Sequence, residues 1–464
     1  MTAIEELSAS AVAALREGVR GRVVLPADEE YDRARRVWNG SIERHPALVV
    51  RCAEAADARA AVLFAREHEL PVAMRGGGHN VAGSGTCDGG VVIDLSPMKA
   101  VRLDPDRRLA WAGPGLLWRE LDARTQEFGL AVPGGIVSGT GVAGLTLGGG
   151  IGWLHRSFGL TADNLVGADV ITADGGQVRA DPELLWGLRG GGGNFGVVTG
   201  FEFRLHPVGP ELTAGLVFYR AADLVPVVRG YREIMAAAPD ELTLFLVLRR
   251  APAAPFLPAE VHGQPVVAIA GCHAGPVDEG ARAMAVLDTL APPVANLMAP
   301  RRYPQFQSMM DGSWAEGFGN YWKAEYVTGI PDAALDVLAE HLRGITSPLS
   351  DFKLAALGGA AGRVPAGATA FAHRSAPFVL NINSRWALPG DGGPHVAWTQ
   401  RLWEAMRPFS TGGTYVNFLG DEGPARVRAA YGEDTYRRLV SLKNAYDPDN
   451  VFRLNQNIAP EPRT

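Results

Sequence analysis

Apolar and polar positions change period along this chain, and each change marks an element. Residues 3–20 space their apolar side chains for one face of a short helix. Ala47 to Cys52 (ALVVRC) is a compact apolar run with β-branched residues and predicts a buried strand. Alanine-rich residues 57–70 open on an acidic turn and stop before Pro71, which predicts a helix. PVAMRG (71–76) resumes as a strand, and strand, helix, strand in that order implies a parallel sheet, whose strand ends commonly host ligands. GGVVIDL (89–95) adds an apolar strand and residues 116–128 a helix. Residues 164–180 alternate on either side of Asp174-Gly175, a hairpin turn dipeptide, and residues 195–208 read as one long strand.

Beyond residue 208 the pattern changes. Strands are predicted at 242–250, 265–272, 352–359 and 378–388, with helices at 278–291, 332–343 and 394–407 between them, which suggests an α+β unit on an antiparallel sheet. The tail runs through GTYVNFLG, read as a strand, and two short helices to a polar end. No internal repeat is present.

A length of 464 residues allows two domains or one large α/β body. With 47% hydrophobic and 20% charged residues the mixture is that of a globular protein, not a disordered or fibrous one. A net charge of −6 without a Lys/Arg block disfavours nucleic acid as partner. Cys52, Cys87 and Cys272 have no metal-ligand spacing and cannot all pair, so a reducing, cytoplasmic setting is expected and no metal site. Glu5 and Glu6 stand where a signal peptide would be basic, and no stretch reaches the ~18 apolar residues of a membrane helix.

The 57 glycines change the picture, because they cluster. Arg75-Gly76-Gly77-Gly78-His79-Asn80 follows a predicted strand, with Gly83 and Gly85 beyond it; such a loop is either a mobile turn or a backbone cradle for a diphosphate. Residues 139–144 match GxGxxG, and Asp163 lies near the spacing of its usual acidic partner. That nicotinamide reading fails, because Gly148, Gly149, Gly150 and Gly152 follow where an uninterrupted helix is required, at ~1 kcal/mol for each glycine. Gly190 to Gly193 form a further cluster. Separate glycine loops on a parallel framework suit a ligand as long as a dinucleotide. His79 is either an ordinary loop histidine or a nucleophile able to tether a flavin.

At these motifs the chain resembles the berberine-bridge-enzyme-like branch of the vanillyl-alcohol-oxidase superfamily. The matching stretches are RGGGHN (75–80), GVAGLTLGGGIGWLHRSFGLTADNL (141–165), DPELLWGLRGGGGNFGVVTGFEFRLHPV (181–208), YVNF (415–418) and YDPDNVFRLNQN (446–457). The resemblance implies an α+β protein with a split FAD-binding domain, residues 1–207 and 408–464, and a substrate domain inserted at 208–407. It implies FAD attached covalently through His79, with Arg75, Gly76, Gly77, Gly78, Asn80, Gly83 and Ser84 in the diphosphate loop. Further cofactor positions by resemblance are Thr140, Gly141, Gly144, Leu145, Gly148, Gly149, Gly150, Gly152, Trp153 and Asn164, with Val198 on the adenine side and Asn417, Asn455 and Gln456 at the flavin ring. Val137 stands where two-tether members carry a cysteine, so one tether is expected.

Tyr415 matches the family's catalytic tyrosine; its other reading is a core aromatic. On a strand it would share a face with Asn417. Asn381, Asn383 and Arg385 share one strand face and Leu380, Ile382 and Trp386 the other, so the polar row meets either solvent or a substrate cleft. Lys353 is either a solvated strand lysine or a charge at the flavin edge. Thr140, Leu145 and Trp153 match oxygen-handling positions of the single-tether bacterial subgroup that includes the flavoprotein of enterocin polyketide biosynthesis, while Val247 and Lys353 replace its acid/base residues. The implied function is a FAD-dependent oxidase acting on an alcohol, phenol, glycoside or polyketide-like metabolite of secondary metabolism, with molecular oxygen as acceptor, as monomer or homodimer. The alternatives are a flavin-N5-oxygenating monooxygenase, a non-catalytic flavin- or metabolite-binding protein and a nicotinamide dehydrogenase.

Overall fold

The computed structural model describes residues 8–462. Of the helix expected at 3–20, Ala9–Gly18 forms, capped by Ser8, whose hydroxyl accepts from the Ala11 amide; residues 3–7 lie outside the described residues. Strands β1 (Arg22–Val24), β2 (Leu48–Arg51), β3 (Val72–Arg75) and β4 (Val91–Asp94) make a sheet in the order β1-β2-β4-β3, with β2 and β3 each parallel to β4. The crossover helix Ala55–Glu67 buries Ala58, Ala61, Val62 and Ala65, one stripe at helical spacing. Its Asp57 carboxylate accepts the amides of Arg20, Gly21 and Ala53, fixing the helix start to the preceding chain.

A second sheet, wholly antiparallel, follows from β5 (Val101–Asp104), β6 (Leu109–Ala112), β8 (Leu165–Ile171), β9 (Gln177–Arg179) and β10 (Val197–Arg204), in the order β5-β6-β10-β8-β9. The short β7 (Leu130–Ala131) pairs with β11 (His206–Pro207). The helix expected at 116–128 is Trp118–Thr125 followed by a 3₁₀ turn, Gln126–Phe128.

The remaining strands are β12 (Glu211–Arg220), β13 (Leu242–Arg250), β14 (Pro265–His273), β15 (Ala295–Asn296), β16 (Ala299–Arg302), β17 (Gly319–Val327), β18 (Asp351–Ala356) and β19 (Phe378–Trp386). They form one antiparallel sheet, β15-β12-β14-β13-β18-β19-β17, with β16 also on β12. Alternation divides it. Leu244, Leu246, Leu354, Leu380 and Ile382 pack under the helices Leu224–Ala237, Asp332–Arg343 and Gly393–Met406. Phe245, Val247, Ala355 and Val379 face Trp153, Leu154 and Leu160 of the body that carries the first two sheets. The helices Pro424–Tyr431 and Glu433–Tyr446 return to that body and bury Tyr431, Leu439 and Leu442 against Leu184 and Phe195.

Two expected strands are corrected. The strand at 352–359 ends at Ala356, and Val416–Phe418 is a 3₁₀ turn, because Tyr415 plunges into the core and the chain turns around it. β12, β17 and the helix Leu224–Ala237 are elements beyond those read from the pattern. No helix among the described residues is long and apolar enough to cross a membrane.

Candidate active site

The site begins at the end of β3. Arg75 is buried, paired with Asp94 at 3.0 Å, and donates to the carbonyls of Ala34 and Arg36, which anchors the loop that follows. Gly76 and Gly77 lie against the second glycine loop: a Cβ at Gly77 would stand 2.5 Å from Gly141 Cα, so no larger residue fits there. Gly78 then turns with φ +69°. Among the described residues the amides of Gly77, Gly78, His79 and Asn80 meet no protein acceptor, a run of free donors suited to an anion.

His79 stacks on Trp38, ring centroids 5.1 Å apart and 18° from parallel, and its open side faces a cavity. Burial lowers its pKa to about 4; the Gly139 backbone opposes the shift and Arg119 adds to it. The imidazole is therefore neutral at neutral pH.

Across the cavity stands Tyr415. Its phenolic oxygen accepts from the amides of Gly150 (2.9 Å) and Ile151 (3.3 Å) and from Asn417 Nδ2 (2.9 Å). Gly149 and Gly150, at φ +119° and +83°, make the turn that aims two amides at one atom. Burial raises the Tyr415 pKa, and those three donors act against the rise. A further wall comes from the large sheet. Lys353 and Asn381 are cross-strand partners on β18 and β19. Lys353 Nζ reaches Asn383 Oδ1 at 2.5 Å and Asp351 Oδ1 at 2.8 Å and sits 4.5 Å from the Trp314 ring centroid; burial lowers its pKa, which Asp351 opposes.

The fold brings most of the expected site residues to this one cavity. Arg75, Gly76, Gly77, Gly78, His79, Asn80 and Ser84 line it, as do Thr140, Gly141, Gly144, Leu145 and Gly148, then Val198, Tyr415, Asn417, Asn455 and Gln456, and Lys353 and Asn381. Others lie elsewhere. Gly83 packs on Ile42, Gly152 on the Gly134 carbonyl, and Trp153 sits in the core against Phe245 and Phe306. Asn164 donates to the carbonyls of Phe158 and Leu160, a local brace. Gly149 and Gly150 stand behind Tyr415, Asn383 behind Lys353, and Arg385 donates to the Ser313 and Ala315 carbonyls. Lys353 is 4% exposed, which removes the solvated reading, and the row from Asn381 to Arg385 is buried. Trp38, Trp314 and Trp322 line the cavity without any sequence signal that marked them, since Trp38 meets the other two only when distant segments close; Phe418, the last residue of YVNF, lines it beside Tyr415. Val137 lines it too, and no cysteine does among the described residues.

The family described as "FAD binding domain" matches residues 46–181, and that described as "Berberine and berberine like" matches residues 414–459. The (R)-6-hydroxynicotine oxidase of Paenarthrobacter nicotinovorans is 31% identical over 96% of this chain and 97% of its own. An uncharacterised FAD-linked oxidoreductase of Bacillus subtilis (strain 168) is 31% identical over 95% and 97%. The chain belongs to the berberine-bridge-enzyme-like FAD-linked oxidoreductases. Among solved structures, that of 6-hydroxy-D-nicotine oxidase from Arthrobacter nicotinovorans superposes with a TM-score of 0.86 at 27% identity, covering 96% of this chain and 98% of that one. Berberine bridge enzyme from Eschscholzia californica shares the fold, with a TM-score of 0.87 at 21% identity over 98% and 100%. These findings reach the family and stop short of the enterocin-type subgroup. FAD suits the donors this oxidoreductase presents: free amides for the diphosphate, glycine contacts too close for any side chain, and a cavity continuous from His79 to Tyr415.

Proposed function

We propose that this oxidoreductase is an oxidase, with FAD attached through His79, a small-molecule substrate bearing an O–H beside the oxidised carbon, and molecular oxygen as final acceptor. Bound FAD supplies the hydride acceptor and the route to oxygen. The observation that carries the reading is the meeting in one cavity of a neutral histidine on an anion-cradling loop and a tyrosine whose oxygen is held by three N–H donors. Kept neutral by burial, His79 retains the lone pair that bond formation requires. The amides of Gly77 to Asn80 would hold the diphosphate, with Val198 toward the adenine and Asn417, Asn455 and Gln456 toward the ring. Tyr415 Oη would take the substrate's O–H proton, and its three donors would offset the charge of the phenolate. In this reading residues 1–207 and 408–464 form the cofactor unit and 208–407 the substrate unit, which contributes Lys353 and Asn381.

Thr140 and Leu145 line the cavity and Trp153 packs in the core on Phe306; the flavin-N5-oxygenating monooxygenase is the alternative to the oxidase, and a gain of oxygen by the substrate would favour it. Acid precipitation tests the tether. The colour should stay with the pellet, and after proteolysis a single flavin-bearing peptide should contain His79. Release of all colour into the supernatant would refute the tether, and His79→Ala should bind FAD reversibly or not at all.

A further inference from the structure

Charge is distributed unevenly around the substrate end of the cavity. No aspartate or glutamate lines it among the described residues, whereas Lys353 does. Behind that wall Arg385 places its guanidinium 5.7 Å from the ring centroids of both Trp38 and Trp314, with carbonyls for hydrogen-bond partners, and among the described residues no carboxylate forms an ion pair with it, though Asp351 acts on it from a distance. Lys353 and Arg385 against Asp351 leave one buried positive charge in excess among these three groups. Uncompensated charge in a desolvated wall is costly, and an anion entering the cavity relieves it. Asn381 adds direction: it lines the cavity, and its buried Nδ2 has no acceptor. The walls are flat and aromatic. Trp314 and Trp322 meet edge to face at 5.7 Å, and Phe418 meets Trp322 in the same way at 5.8 Å.

Building on the oxidase reading, we infer that this end of the cavity selects a planar aromatic anion, such as an aromatic carboxylate or acidic phenol, with Lys353 and Arg385 setting the sign of charge and Asn381 donating to the anion's oxygen. A protonated amine of the same size meets two cations here and is rejected.

Three probes share one ring and differ in charge: benzoate, benzamide and benzamidine. Each is titrated into the holoenzyme while tryptophan fluorescence and the flavin absorption band are followed. Benzoate should bind at least about 10-fold tighter than benzamidine, with benzamide between, because a single buried charge acts strongly at low dielectric. Cyclohexanecarboxylate, equally charged but not flat, should bind more weakly than benzoate. Asp351→Asn should widen the ratio of benzoate to benzamidine affinity, Lys353→Met should bring it close to unity, and Lys353→Arg should preserve it. Should Lys353→Met fail to fold, the parent protein and Asp351→Asn decide the matter. The inference is wrong if benzamidine binds as tightly as benzoate, if none of the three aromatic probes moves either signal, or if Asp351→Asn leaves the ratio unchanged. A colourless purified protein would count against the flavin reading alone, since the fluorescence titration still reports the charge preference.

Discussion

Three N–H groups converge on one phenolic oxygen at Tyr415, yet burial raises its pKa. The hydroxyl is therefore protonated at neutral pH, and a step that needs it as base speeds up as pH rises toward its pKa. Removing the hydroxyl with Tyr415→Phe should slow flavin reduction by ~10²–10⁴-fold in stopped-flow measurements while FAD stays attached, because packing hardly changes. Asn417 lowers the Tyr415 pKa through its hydrogen bond. Asn417→Ala removes that support, so the pKa climbs further and the ascending limb of the pH–rate profile should move to higher pH. A limb that stays in place would assign the proton to another group.

Among the elements, the returning helix Glu433–Tyr446 ties the tail to the fourth glycine loop through one wholly buried side chain. Lys443 Nζ donates to the carbonyls of Asn194 and Phe452 and to Asp447 at 2.7 Å, and Asp447 in turn accepts the amides of Val451 and Phe452. Lys443→Met leaves the Asp447 carboxylate buried without its cation, which should cost ~3–5 kcal/mol in denaturant unfolding and weaken FAD retention. Elements of this kind were the legible part of the sequence. Residues 57–70 carried their own helix signals, and the strand before RGGGHN carried its own apolar run, so β3 and its loop could be placed from local pattern alone. YVNF alternates like a strand but turns, because burying Tyr415 outweighs the pairing its pattern invites. Trp38 lies 276 residues before Trp314, whose carbonyl accepts from Trp38 Nε1, and no local signal encodes that meeting.

At the scale of the molecule the two bodies interlock. Arg156, on the short helix His155–Phe158 of the first body, donates to the carbonyls of Leu242 and Ala238 beyond it, and Asp163 pairs with Arg374 through both carboxylate oxygens, at 2.7 and 2.5 Å. Arg374 is buried and Asp163 nearly so, so separating the bodies exposes charge and core together. The three cysteines turn this into something measurable. Cys52 lies beside the parallel sheet, Cys87 near it, and Cys272 on β14 of the large sheet, all buried. Burial raises the pKa of Cys87 to about 11 and of Cys272 to about 12, so neither forms thiolate readily while the fold is closed. A maleimide can reach these sulfurs only when the protein opens, which makes its rate of capture a clock for opening at each site. If the bodies open as one, Cys52 and Cys272 should be alkylated at the same rate in peptide mass spectra; a Cys272 that reacts far ahead of Cys52 would mean that the large sheet comes loose first.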